Sequence, residues 1–233
     1  MSTTTTTVNS YFFSSITKKY FMALTGLFLC LFLVGHLAGN LQLLLPLFGT
    51  SAEDTKLQFN AYAHFMTTFP AVKLLSYLTY FSIIFHTIDG LMLAYQNQKA
   101  RPVKYAYNRP DRNSTWSSRN MAILGTILLF FIVIHMGNFW VKMHWVIEET
   151  DSAGNKDLYT VVVLAFKQWW YTLLYVVCMV AVGFHLFHGF QSGFQSLGVR
   201  HPKYTPFIKR FGSAFAIGTA ILFGIIPVYI FLS

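Results

Sequence analysis

Four stretches of this chain, 20–52, 120–141, 168–199 and 211–233, contain no Asp, Glu, Lys or Arg, and a fifth, 74–98, is broken only by Asp89. A helix that crosses a bilayer needs about 20 predominantly apolar residues. A helix on the surface of a water-soluble protein needs a polar face along its length, and these stretches have none. Hydrophobic residues make up 55% of the 233 and charged residues only 11%. The pattern predicts an all-α integral membrane bundle of five transmembrane helices, near 20–45, 72–95, 120–143, 168–191 and 210–232. Residues 1–19 are read as a Thr-rich polar tail with an amphipathic lead-in, and 20–233 as the transmembrane domain. The first apolar run is longer than the core of a cleaved export signal. Cys30 and Cys178 fall inside the runs with no CxxC or CxxCH spacing, which argues against a disulfide framework and against covalently attached haem.

The charges that remain are sorted by side. Lys18 and Lys19 precede the first run, Lys99, Arg101, Lys104, Arg109, Arg112 and Arg119 separate the second from the third, and Arg200, Lys203, Lys209 and Arg210 separate the fourth from the fifth. Those are 12 of 17 basic residues, whereas Glu53, Asp54, Glu148, Glu149, Asp151 and Asp157 lie in the loops of the opposite side. The positive-inside rule therefore expects a cytoplasmic N-terminus and an external C-terminus. The net charge of +9 reflects this topology and suits anionic lipid or an acidic cytoplasmic partner, not nucleic acid.

Each of the first four runs carries one deeply placed histidine: His36, His86, His135 and His185. At about 1.5 Å per residue, each lies roughly 21–24 Å from the entrance of its helix. Successive helices run in opposite directions across a hydrocarbon core of about 30 Å. His36 and His135 thus share a depth near the outer surface, and His86 and His185 share one near the inner surface. Only residues at equal depth can grip one planar group from its two faces. Two separated pairs without further ligands suit two six-coordinate haems better than zinc or copper, which gather three or four protein ligands. The pairs would stand roughly 15 Å apart along the membrane normal. Gly39, Gly90 and Gly189, three or four residues beyond their histidines, would make room for the macrocycle or simply allow close helix packing.

Other polar residues leave alternatives open. His188, three residues after His185, competes for the same role, although the matched spacing of His86–Gly90 and His185–Gly189 favours His185. Asp89 is an intramembrane carboxylate and so a functional candidate, but it stands close enough to the helix end to reach water. His64 could line a quinone pocket or carry a proton near neutral pH. Ser14, Lys18, Arg119 and Gln191 are candidates for haem propionate partners on the inner side. For His64 and His144 an ordinary surface role is the favoured reading.

The stretch 15–26 (SITKKYFMALTG), continuing to Gly35, His36, Gly39 and Asn40, resembles the first helix of a known family. Residues 59–66 (FNAYAHFM), His86 with Gly90, His135 with Trp140, and Phe184 and His185 with Gly189 and Ser192 follow in matching order and spacing. The family is the single-chain, five-helix, di-haem cytochrome b subunit of succinate dehydrogenases and fumarate reductases, and the resemblance spans 15–233. It implies a multi-pass subunit of the bacterial cytoplasmic membrane that anchors a flavoprotein and an iron–sulfur subunit on the cytoplasmic face. It also implies His86 and His185 as ligands of an inner haem b, and His36 and His135 as ligands of an outer one. FAD and iron–sulfur clusters would belong to the partner subunits, and a quinone, menaquinone by resemblance, would receive the electrons, with Asn40, Gln42, His64 and His144 as candidates for its pocket beside the outer haem. The dicarboxylate chemistry would lie on the other subunits. Two rivals remain at this stage: an anchor for a hydrogenase or formate dehydrogenase, and a non-redox transporter whose histidines bind ions.

Overall fold

A computed structural model of the chain describes residues 15–100, 112 and 114–233. The polar tail 1–10, Ser14 and the basic residues Arg101, Lys104 and Arg109 lie outside the described residues. The fold is all-α. Its elements are α1 (Ser15–Asn40), α2 (Ala52–Thr68), α3 (Pro70–Lys99), the short α4 (Trp116–Arg119), α5 (Met121–His135), α6 (Leu158–Phe166), α7 (Trp169–Ser196) and α8 (Thr205–Leu232). A 3-10 segment, Leu41–Phe48, prolongs α1, and two π-helical turns, Met136–Trp140 and Lys142–Val146, prolong α5. Among the described residues, five segments are long and apolar enough to cross a membrane: Ile16–Phe48, Pro70–Lys99, Met121–Val146, Trp169–Ser196 and Thr205–Leu232. Most run a few residues beyond the expected boundaries. Run length marks the hydrocarbon, whereas a helix continues into the headgroup region until its backbone is stopped.

The stops are local chemistry. Gly49, in a left-handed conformation (φ 90°), closes the 3-10 segment by directing its N–H to Leu45 and Pro46 carbonyls. Ser51 then caps α2: its hydroxyl oxygen accepts from the Asp54 N–H at 3.0 Å and donates to the Asp54 carboxylate at 2.6 Å. Glu53 and Asp54 in the first turn suit the positive end of the helix. Pro70 ends α2 and begins α3, because the residue before a proline is pushed to extended geometry, as Phe69 is (ψ 125°).

Helices α1, α3, α5 and α7 close a ring in which each touches the next and α7 returns to α1. Helix α8 packs outside the ring, mainly on α7. The antiparallel register of α1 and α3 is legible from two contacts. A Cβ on Gly26 would meet His86, and one on Gly90 would meet Met22, so four residues back on α1 match four forward on α3. The ring's surface is apolar: Leu31, Leu74, Phe130 and Val133 are all more than 60% exposed, a surface that belongs in lipid rather than water.

The acidic end of the bundle is covered by structure that run length alone did not reveal. Helices α2 and α6 lie there and share a core with Leu43, Leu44, Tyr171, Tyr175 and Ile226. Asn60 of α2, fully buried, is its polar centre. The Asn60 amide donates to Asp151 at 3.1 Å and Asp157 at 3.2 Å, and its carbonyl oxygen accepts from the Tyr159 N–H at 2.9 Å. Lys56 pairs with Asp157 at 2.7 Å, and Lys156 donates to the Met143 carbonyl at 3.0 Å. Burial works against the charged form of Asp157, but Lys56, Thr160 and Asn60 outweigh it and hold the carboxyl below its usual range. Asp151 is also held low: the Asn155 amide, Asn60 and the Ala153 amide outweigh burial.

Both carboxyls are depressed in the fold, so their stabilisation is complete above the unfolded carboxylate value of about 4. It is lost as the pH falls through the folded values. Asn60→Leu leaves two buried carboxylates short of donors and is expected to cost about 2–4 kcal/mol, read as a lower thermal midpoint in detergent at pH 7. The gap from wild type should narrow below pH 4; a constant gap would argue against the network as its cause.

Candidate functional site

The ring geometry explains where the histidines meet. Neighbouring helices in it are antiparallel, so diagonal helices run in the same direction, and equal offsets along them give equal depths. His36 of α1 and His135 of α5 meet across one diagonal with ring centroids 5.7 Å apart and planes at 86°. His86 of α3 and His185 of α7 meet across the other at 6.1 Å and 68°. Gly26, beside His86, lies ten residues before His36, and Gly125, beside His185, lies ten residues before His135. Two separate helices thus give the same spacing of about 15 Å between the levels.

Two imidazoles that share one metal have ring centres about 6 Å apart, given metal–nitrogen bonds of about 2 Å and ring atoms about 1.1 Å from the centre at ordinary bond lengths. Both observed separations match that requirement. The walls differ between levels. Around His36 and His135 stand Phe32, Phe131, Phe139, Phe223 and Tyr175, with ring centroids 5.3–6.1 Å from one histidine or the other. The Tyr175 hydroxyl lies 3.2 Å from His135 Nδ1 and 2.9 Å from the Tyr171 hydroxyl. Around His86 and His185 the wall is smaller, made by Gly26 and Gly125, with the Thr25 hydroxyl 3.3 Å from His86 Nδ1. The Nδ1 of His185 is enclosed and has no hydrogen-bond partner among the described residues.

The glycines divide between the two readings of them. Gly39 admits the ring of Tyr62, and Gly90 faces Met22, so both serve contacts between helices; only around Gly189 is the space open. A residue one turn along the same helix is displaced by about 5 Å along the axis. It therefore stands above or below its histidine's ring, whereas a residue on an adjacent helix can stand beside that ring. The equal ten-residue offsets of Gly26 and Gly125 were the signal available in the sequence. Thr25, Tyr171 and Tyr175 had none, since their roles depend on which helices are neighbours.

His188 lies one turn beyond His185 towards the basic end and is half-buried; the ring that meets His86 is that of His185. Asn40 donates to the His36 carbonyl at 2.8 Å, and Gln42 follows on the 3-10 segment with its side-chain oxygen enclosed and unpartnered among the described residues. His64 is exposed on α2. His144 is exposed beside Trp140, its Nδ1–H donating to the Trp140 carbonyl at 2.8 Å. Among the described residues, no hydrogen bond or ring contact joins any two of these four. At the basic end Lys18 is buried, Arg119 donates to the Ser114 carbonyl at 2.5 Å, and Gln191 lines a small cleft with Arg200 and Lys209. Asp89 is half-buried on α3.

No family model matches this chain, and no curated protein or solved structure matches it.

A Cβ on Gly26 would stand 3.0 Å from His86, and one on Gly125 would stand 3.9 Å from His185. Gly26→Ala should therefore lower the thermal midpoint relative to Gly125→Ala, by the equivalent of about 1–3 kcal/mol for a crowded core. The helix-propensity gain is common to both and cancels. Equal midpoints for the two variants would argue against a close Gly26–His86 contact.

Proposed function

We propose that this chain is the membrane-anchor cytochrome b subunit of a succinate:quinone oxidoreductase, carrying electrons between an iron–sulfur subunit and membrane quinone. The observation that carries the di-haem part is the meeting of two histidine pairs, at metal-sharing distance, on the two diagonals of one helix ring. A bare cation at either level would call for further ligands. The residues around each pair are instead phenyl rings, glycines and single hydroxyls, a setting for a ligand that brings its own four nitrogens.

In this reading His36 and His135 bind one haem b, and His86 and His185 bind the other. Bound haem b supplies reversible one-electron chemistry at its iron. Gly26 and Gly125 keep bulk away from the second pair. The aromatic wall of the first pair excludes water and keeps the surroundings apolar. Lys18, Arg119 and Gln191 stand at the basic end, where propionates seek partners, and Asn40, Gln42, His64 and His144 remain candidates beside the other pair for a quinone, menaquinone by resemblance.

The succinate assignment rests on the motif resemblance. With it come a flavoprotein and an iron–sulfur subunit at the basic end, that end facing the cytoplasm of a bacterial inner membrane, and FAD and clusters on those partners only.

A haem-to-protein ratio after gentle detergent extraction tests the first part, with two b haems per chain expected and a colourless protein refuting it. His86→Ala should remove mainly one haem and His135→Ala the other; loss of the same haem from both would break the pairing. Co-purification of a covalent-flavin subunit and an iron–sulfur subunit tests the second part, whereas nickel or molybdenum partners would assign the anchor to another respiratory enzyme.

A further inference from the structure

In each histidine pair, one ring has a buried hydroxyl at its Nδ1 and a different wall holds the other. Thr25 is 8% exposed and Tyr175 is 5% exposed, so neither hydroxyl has water as its natural partner. The Thr25 hydroxyl donates to the Phe21 carbonyl at 2.7 Å. Its single proton is thereby used, and towards His86 Nδ1, 3.3 Å away, it can only accept. That assigns the proton to Nδ1 and leaves the lone pair on Nε2. The Tyr175 hydroxyl lies 3.2 Å from His135 Nδ1 and 2.9 Å from the Tyr171 hydroxyl, a geometry in which it can accept from Nδ1–H while donating to Tyr171. His36 is held between Phe32 and Phe223, and His185 Nδ1 has no partner among the described residues.

We infer that Thr25 and Tyr175 are positioning residues, one for each metal centre, which fix the tautomer and orientation of His86 and His135 and strengthen their electron donation through Nε2. This rests on the di-haem reading. An acceptor at the distal nitrogen makes an imidazole a more basic ligand, which favours the oxidised metal. Removing the acceptor should raise the midpoint potential of the centre it serves and leave the other alone.

Redox titration of the purified protein, in its complex, tests this with Thr25→Val and Tyr175→Phe. Each variant should retain two haems per chain. Thr25→Val should shift upward only the centre that His86→Ala removes, and Tyr175→Phe only the centre that His135→Ala removes, with altered low-spin electron paramagnetic resonance signals at the same centre. Thr25→Ser, which restores a hydroxyl, should return the wild-type midpoint. Unmoved midpoints in both variants, equal shifts at both centres, or no rescue by serine would overturn the inference. If a variant loses its haem, Tyr171→Phe must still give a small upward shift at the His135 centre, and absence of that shift counts against the inference. A wild-type protein without haem is a different result: it refutes the di-haem reading itself.

Discussion

A bilayer offers its interior no water, so each backbone N–H and C=O there must find its partner within the protein. Five apolar segments answer that constraint as helices, and short connections make sequential helices antiparallel. Once α1, α3, α5 and α7 close into a ring, the diagonals become the only pairs of like direction. Depth is then a simple function of residue number, the same on both helices of a diagonal. The two histidine pairs follow from that rule, as do the equal ten-residue offsets of Gly26 and Gly125.

The same dry interior explains where the other polar groups lie. The Thr25 hydroxyl bonds the Phe21 carbonyl, Thr79 bonds Leu75, and Ser76 bonds Val72, each returning to the preceding turn of its own helix. Groups that cannot do so find other side chains: Trp140 donates to the Tyr80 hydroxyl across helices at 2.7 Å, and Tyr171 and Tyr175, one turn apart on α7, share a hydrogen bond. At the acidic end the density of such bonds rises, because α2, the loop after α5 and α6 fold over the bundle and bury Asn60, Asp151 and Asp157 together. That cover shields one mouth of the bundle, on the side where the His36–His135 pair lies.

The five membrane segments were readable because charge is so costly in lipid that its absence over 20 residues has few other meanings. Their ends were less so, since interfacial turns obey caps such as Gly49 and Pro70 rather than hydropathy. Helix α2 escaped notice because its buried residues Thr55, Phe59 and Asn60 are mostly polar by type, although Ser51 and Asp54 carry a recognisable cap. For the site, the four histidines and their pairing were legible from depth. Of the glycines, Gly39 and Gly90 serve the helix-packing alternative and Gly189 keeps open space beside it; Gly26 and Gly125, on the adjacent helices, were not singled out.

From the sequence alone follow the five apolar helices, the sorting of charge to two ends and the depth of each histidine, because these depend on composition and rise per residue. Only the tertiary structure decided which helices are neighbours and which are diagonal. That choice sets which side chain reaches across to each imidazole, so Thr25 and Tyr175 became visible only once helices distant in sequence lay side by side.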